Sequence, residues 1–545
     1  MLEVPAFRAA SAFGRPLPRG RIPGLLTPLS HTVMCNRCLW RLPRTILFAL
    51  CVAAGATPFL ASAAELANLS AARASITAEE LKQQVFTLAS DAFGGREAGK
   101  EGGQRAAAFL VDRLQALDVA PAGPGGGYYQ PFGEGLRNVL VKAPGTDPAL
   151  RREWIVVGAH YDHVGLGSRR NSRGGVGQIH NGADDNASGA AALLELAEAL
   201  TLVSQGTRRS VLIIFFDGEE QGMLGSKHWI RHPTAPLADV AAMINLDMIG
   251  RLRNDELTVI GTRTSPGFRR RACEVNEAVG LTLKFPWRIR GQSDQVTFAE
   301  AAVPMLMLHT GLHDDYHTPR DDADWINTAG MRRVCDYLLL LTCSLADGER
   351  PAYRFASREE RERDREKFER PLVAPDKLGA RFAEVFEDGT PGLMVADVAS
   401  GSVAQRAGLK AVDRLMGVGG CNVASVTEAQ RAVFGAAGPT VLSVLRGIRG
   451  EPMELTAAFP ADAQRIGIAW RGDPAEPLSV MISEVAPGSP AADAGLAAGD
   501  RIYALNGRAP AGQDVLYEEI AVTPFPLALT IERDGRIATV LVGGP

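Results

Sequence analysis

The chain is poor in cysteine, with seven in 545 residues, and three of these (Cys35, Cys38 and Cys51) fall near its start. Cys273, Cys335, Cys343 and Cys421 match no metal-binding spacing, and Cys35-x-x-Cys38 has no second pair, so a thiolate-built zinc framework is excluded. A surplus of positive charge is also missing. The formal net charge is -4, and the first 50 residues, with seven arginines and no lysine against Glu3, contribute about +6, which leaves the remainder near -10. A body of that sign gives no electrostatic reason to expect nucleic acid as a partner. Long apolar runs are absent too: Thr45 to Leu60 is short for a membrane span and contains Gly55 and Pro58. With 46% hydrophobic and 22% charged residues, the composition excludes wholesale disorder and a multi-span membrane protein, and the length predicts two to four folded units.

What is present begins with a leader. The basic start runs into Thr45 to Leu60 and then Ala61-Ser62-Ala63, the small-residue pattern of a signal cleavage site. Met34 to Ala63 is expected to be a signal peptide, residues 1–33 an upstream extension, and the mature protein exported without a stable membrane span. Leu50, where a lipidation signal needs a small residue before Cys51, argues against a lipid anchor.

Helix-spaced apolar residues run over Ala78 to Leu88, Gly102 to Leu117, Ala187 to Val203, Gly267 to Val279 and Ile326 to Leu345. Between them, Trp154 to Val157, Val211 to Phe216, Met243 to Leu246 and Val303 to Leu308 read as buried strands. Such alternation predicts an α/β fold, a central sheet covered by helices on both faces, with its site in loops at the carboxyl ends of the strands. Predicted boundaries are 64–348 for this domain, 349–374 for a charged linker whose Ser357 to Arg370 is read as a solvated helix, and 375–460 and 461–545 for two small modules. The modules are copies: Gly401-Ser402, Ala407-Gly408-Leu409 and Asp413-Arg414 recur 87 residues later as Gly488-Ser489, Ala494-Gly495-Leu496 and Asp500-Arg501.

Five short segments at strand ends supply ligands for a hard or borderline divalent metal: His160, Asp185, Glu220, Asp247 and His317. Singly, each is more simply a structural histidine, a cap or a turn residue. In Gly158-Ala-His160-Tyr-Asp162-His163, strand alternation puts His160 and Asp162 on one side, so that Asp162 can receive the second imidazole N–H of His160. In Asn181-Gly-Ala-Asp184-Asp185-Asn186-Ala-Ser188-Gly189, the helix cap is assigned to Asn186 or Ser188 and metal binding to Asp185. Adjacent Glu219 and Glu220 after an apolar strand repel each other unless a cation intervenes; one can bind metal while the other takes a proton from water. Asp247 in Asn245-Leu-Asp247-Met and His317 beside Tyr316 complete the set. Five ligands with one acid shared give three per ion, the count of an open two-metal centre, and nitrogen and oxygen donors without thiolate favour Zn2+, two per chain.

These segments, with Gly94-Gly-Arg96 to Gly103, resemble the zinc aminopeptidase family that includes bacterial leucyl aminopeptidases, glutamate carboxypeptidase and glutaminyl cyclase; the likeness covers roughly Ala78 to Leu345. The resemblance implies a zinc-exopeptidase-like mixed sheet, Asp185 as the bridge, His160 and Asp247 on one ion, and Glu220 and His317 on the other. It further implies Glu219 as general base, Asp162 orienting His160, and Tyr316 stabilising the oxyanion. The expected activity is removal of N-terminal residues from peptides. The rivals are a carboxypeptidase, for which Arg288, Arg290 and Arg320 could hold the substrate carboxylate, a one-metal glutaminyl cyclase, and an inactive domain supporting peptide binding. The repeats look like PDZ domains of bacterial envelope proteases, which implies a periplasmic or secreted setting and peptide or protein ligands. Leu378-Gly379 and Ile466-Gly467 would be the loops whose N–H groups receive a peptide carboxylate, with Phe382 and Trp470 lining the grooves.

Overall fold

The structure, a computed structural model, describes residues 63–544 except 204, 290–292, 372–375, 384–391, 437, 448–449, 461–462 and 511. The expected signal peptide up to Ser62, Cys35, Cys38, Cys51 and Arg290 lie outside the described residues.

Among the described residues of the first two thirds of the chain, ten strands form: β1 (Tyr129–Phe132), β2 (Leu136–Ala143), β3 (Trp154–His160), β4 (Gly165–Leu166), β5 (Ile179–His180), β6 (Ser210–Phe216), β7 (Val240–Leu246), β8 (Glu256–Ile260), β9 (Thr282–Lys284) and β10 (Met305–His309). Eight of them make one mixed sheet in the order β1-β2-β6-β3-β7-β10-β8-β9, and β4 pairs with β5 in a separate ribbon. The four central strands β6, β3, β7 and β10 are mutually parallel, so their carboxyl ends open on the same edge of the sheet. Period-two alternation sorts their side chains: Val211, Ile213 and Phe215 of β6 enter one core while Leu212, Ile214 and Phe216 enter the other. Strands buried on both faces must be apolar throughout, which is why these runs stand out in the sequence.

The larger core is covered by α2 (Ala78–Leu88), α3 (Glu101–Ala116), α4 (Gly189–Thr201), α6 (Phe268–Asn276) and α8 (Thr328–Asp347), behind α1 (Ala63–Ser75). The opposite face takes α5 (Leu224–Arg231) and α7 (Gln295–Glu300), where Trp229 stacks on Phe298 at 5.4 Å. Helix α2 has the expected bounds because Thr77, its N-cap, accepts from the Glu80 N–H. Among the described residues, no helix is long and apolar enough to cross a membrane.

In the charged segment no residue of the helix is buried, but the segment is held at both ends. It forms α9 (Glu362–Phe368), but Glu360 pairs in two-pronged fashion with Arg263, Glu362 accepts from the Trp287 N–H, and Phe368 packs on the Trp287 ring. Glu360 is spent on an arginine 97 positions away, which no local charge pattern reveals.

The first repeat holds β11 (Ala380–Ala383), β12 (Leu393–Val398), β13 (Arg414–Val418), β14 (Cys421–Asn422), β15 (Gly438–Arg446) and β16 (Glu451–Phe459), with α10 (Val403–Ala407) and α11 (Val426–Gly435). The second holds β17 (Ile468–Asp473), β18 (Glu476–Val485), β19 (Arg501–Leu505), β20 (Leu527–Arg533) and β21 (Arg536–Val542), with α12 (Pro490–Asp493) and α13 (Gln513–Val522). The 87-residue offset extends to an ion pair: Asp413 with Arg446 in one, Asp500 with Arg533 in the other, each at 2.6 Å. The second repeat covers the β9 edge of the large sheet, where Leu283 N–H donates to the Asp534 carbonyl and a Cβ at Gly535 would strike Leu283. Asp473 there meets both Arg263 and Arg501, and Glu532 meets Arg269.

Candidate metal centre

The carboxyl ends of β3, β6, β7 and β10 each release a turn carrying acids or histidines. His160 closes β3, Glu219 and Glu220 follow β6, Asp247 follows β7, and His317 lies in the loop after β10; Asp185 comes from the turn that opens α4. Several of these turns hold non-glycine residues in the left-handed region, among them His317 (φ 55°), Met248 (φ 57°) and Met223 (φ 60°). Such conformations persist only where the surroundings over-determine them.

All five expected ligands are brought together, in two groups that share Asp185. His160 Nε2 lies 3.4 Å from Asp185 Oδ1 and 3.6 Å from Asp247 Oδ1. His317 Nε2 lies 3.0 Å from Asp185 Oδ2 and 3.1 Å from Glu220 Oε1. One carboxylate thus presents one oxygen to each group. The second group contains a residue not anticipated as a ligand: His163, whose Nδ1 is 2.9 Å from Glu220 Oε1 and 3.7 Å from Asp185 Oδ2. Its signal was a histidine three positions after His160 in a chain with nine histidines, but the alternation that paired His160 with Asp162 placed it on the wrong side of an ideal strand.

Asp162 acts differently from expectation. His160 Nδ1 bonds to the main-chain oxygen of Asp162 at 3.1 Å, and the carboxylate stands 3.8 Å away. That carboxylate instead accepts from the N–H groups of Glu219 (3.0 Å) and Glu220 (3.3 Å), so it fixes the turn bearing both glutamates. Asn186 accepts from Gly189 N–H and caps α4, as expected; Asp321, not anticipated, accepts from the N–H groups of Asp184 and Asp185. Arg96 is fully buried and gives its guanidinium to four carbonyls, those of Leu88, Tyr161, Asn181 and Gly182, which ties the His160 turn to the Asp185 turn.

The electrostatics separate the neighbouring glutamates. Burial, with Asp294 and Asp247 nearby, holds Glu219 well above the usual carboxylate range despite His160. Burial also opposes charge on Glu220, but hydrogen bonds with His163 and His317 outweigh it and leave Glu220 well below that range. Two carboxyls with diverging proton affinity are what acid–base chemistry requires. Burial works against charge on His317 as well, yet Asp185 and Glu220 raise it to about 10. The cluster therefore draws in positive charge strongly. The convergence of imidazole nitrogens from His160, His163 and His317 on the oxygens of Asp185, Glu220 and Asp247, with no thiolate among the donors, fits a divalent cation bound through oxygen and imidazole nitrogen.

Tyr316 stacks on His317 with ring centres 3.9 Å apart, and the Arg173 guanidinium lies over its other surroundings at 4.6 Å from the ring. Burial and the nearby acids push its phenol far up, so it stays protonated. Of the arginines considered for a carboxypeptidase, Arg288 is exposed and Arg320 is exposed and paired with Asp315. In the first repeat, the Leu378 and Gly379 N–H groups already bond to Asp376 Oδ1 at 3.1 and 2.7 Å, so they are not free to receive a peptide carboxylate as expected. Phe382 packs against the first repeat's core. In the second repeat, Ile466 is buried, Gly467 (φ 74°) abuts Ser489, and Trp470 meets Tyr517 of α13 edge-on at 5.8 Å.

Residues 138–342 match the family model described as Peptidase family M28, and residues 481–520 match that of the PDZ domain. Leupeptin-inactivating enzyme 1 of Streptomyces exfoliatus is 24% identical over 50% of this chain and 59% of its own length. Aminopeptidase YwaD of Bacillus subtilis is 25% identical over 43% of this chain and 46% of its own. The chain thus spans about half the length of the curated relatives it matches. A solved zinc aminopeptidase from Bacillus subtilis overlays with a TM-score of 0.41 at 17% identity, over 51% of this chain and 98% of that one. A segment that matches the M28 peptidase model is thus followed along the chain by one that matches the PDZ model, and the first holds a candidate metal centre.

Proposed function

We propose that the chain is an aminopeptidase that uses two zinc ions, held by His160 and Asp247 on one side and Glu220 and His317 on the other, with Asp185 between them. The observation that carries this reading is the division of Asp185, whose Oδ1 faces His160 and whose Oδ2 faces His317. When bound, the ions would supply Lewis acidity that polarises a peptide carbonyl and lowers the pKa of water. Glu219 takes the proton of the attacking water and returns it to the leaving amine, a task suited to its raised proton affinity. Asp162 positions Glu219 through its backbone N–H, and the Tyr316 phenol donates to the developing oxyanion.

The peptidase domain is assigned to 64–348, the linker to 349–374 and the PDZ-like modules to 375–460 and 461–545. Those modules would hold peptide segments of substrates or partners, and the basic then apolar leader supports export to a periplasmic or extracellular site. Hydrolysis of one peptide with a free and an acetylated N-terminus, with products identified by mass, tests the activity. Loss of the first residue from the free form alone is expected. Loss of the C-terminal residue from both forms would make the chain a carboxypeptidase.

A further inference from the structure

Given the two-ion reading above, the two positions are unequal. His163 leaves the end of β3 with its N–H bonded to the Arg96 carbonyl, which turns its ring toward the loop that carries Asp185. The ring is slotted under that loop: a Cβ at Gly182 (φ 55°) would lie 2.3 Å from His163 Cδ2. Glycine is thus demanded there both by its backbone and by the imidazole. With Nε2 buried and without a hydrogen-bond partner, the ring acts through Nδ1.

That nitrogen faces the same two oxygens as His317 Nε2. The four donor-to-donor separations are 2.9, 3.7, 3.1 and 3.0 Å. They bracket the edge of about 3.3 Å expected for a tetrahedron of donors about 2.0–2.1 Å from zinc. We propose that His163 is a fourth protein ligand at the Glu220 and His317 position. That position then holds two imidazoles and two carboxylates and is closed. The other, with His160, Asp185 and Asp247, has three donors and keeps the open place. One ion would anchor the turns, and substrate would approach the other.

Zinc titration calorimetry against a competing chelator, and X-ray absorption of the full chain loaded with one equivalent of zinc, test this. The wild-type chain is expected to take up two ions at separable affinities, the tighter one showing two imidazole nitrogens. His163→Ala and His163→Gln are each expected to weaken the tight ion by more than about 100-fold, beyond the 10- to 100-fold typical of an outer partner's loss. The Gln side chain can still donate to Glu220, so a His163→Gln chain that keeps the tight ion would reduce His163 to a hydrogen-bond partner and overturn the proposal. A single imidazole on the tight ion of the wild-type chain would overturn it without any variant. Uptake of one ion bearing two imidazoles would sink the two-ion reading and leave His163 as a ligand, and a chain that binds no zinc would sink both.

Discussion

Two of the buried clusters of ionisable side chains among the described residues are built on opposite principles. At the seam between the large-sheet domain and the second repeat, Arg263, Arg269 and Arg501 meet Asp473, Glu532 and Glu360 in close pairs, so charge is balanced by the chain itself. At the carboxyl edge of the sheet, Asp162, Asp185, Glu219, Glu220, Asp247 and Asp294 face three imidazoles, and Arg96 beneath them spends its guanidinium on carbonyls. A balanced buried cluster holds parts together, whereas an unbalanced one costs several kcal/mol per uncompensated ion until a cation arrives. The first is a joint and the second a candidate metal site.

The sharpest break between them comes from Glu219→Gln. Its removal is expected to leave zinc content unchanged and to lower turnover by roughly 10²–10⁴-fold, as read from peptide hydrolysis beside metal analysis. Near-normal turnover would remove Glu219 as the base. Asp185→Ala comes next: elemental analysis after dialysis is expected to find the chain depleted of both ions, and a variant still holding two would overturn the bridge.

At the joint, Arg263→Met leaves Asp473 and Glu360 short of a buried cation. A cost of about 3–5 kcal/mol is expected, seen as an earlier calorimetric transition with zinc content preserved. An unchanged transition would show the second repeat to be only tethered. Glu476 sharpens the same contrast with pH. Burial raises it to about 7 despite Arg501 and Arg269. Its folded value lies above the ordinary 4.5, so the stability it contributes is complete below about pH 4.5 and lost as pH rises through about 7. Thermal stability is expected to fall over that window, and Glu476→Gln to flatten the decline. The smallest effect is expected from Arg431→Ala, which breaks an exposed pair with Asp493 between the repeats: a shift below about 1 °C in the midpoint, since exposed pairs contribute little.

Much of the site was legible because metal ligands of this kind follow apolar strands, and strand ends are the easiest boundaries to read. His160, Glu220 and Asp247 stood at or just past such ends and Asp185 and His317 in loops, and the structure brings all five together. His163 was hidden because the chain turns after His160, where strand alternation no longer applies. Asp162 was misplaced by one bond: its main-chain oxygen, rather than its carboxylate, meets His160. Leu378 and Gly379 looked available for a ligand because nothing in their own letters tells that Asp376 occupies their N–H groups.

By itself the sequence determined the strand and helix periods, the duplicated module and the donor types, since each depends on residues close along the chain and on the chemistry of single side chains. Only the tertiary structure decided which oxygen faces which nitrogen, that Arg263 is the partner of residues 97 and 210 positions away, and that the second repeat covers the β9 edge. Pairings at such separations are fixed by packing and by the high cost of leaving a buried charge alone, and neither can be evaluated until the chain has folded.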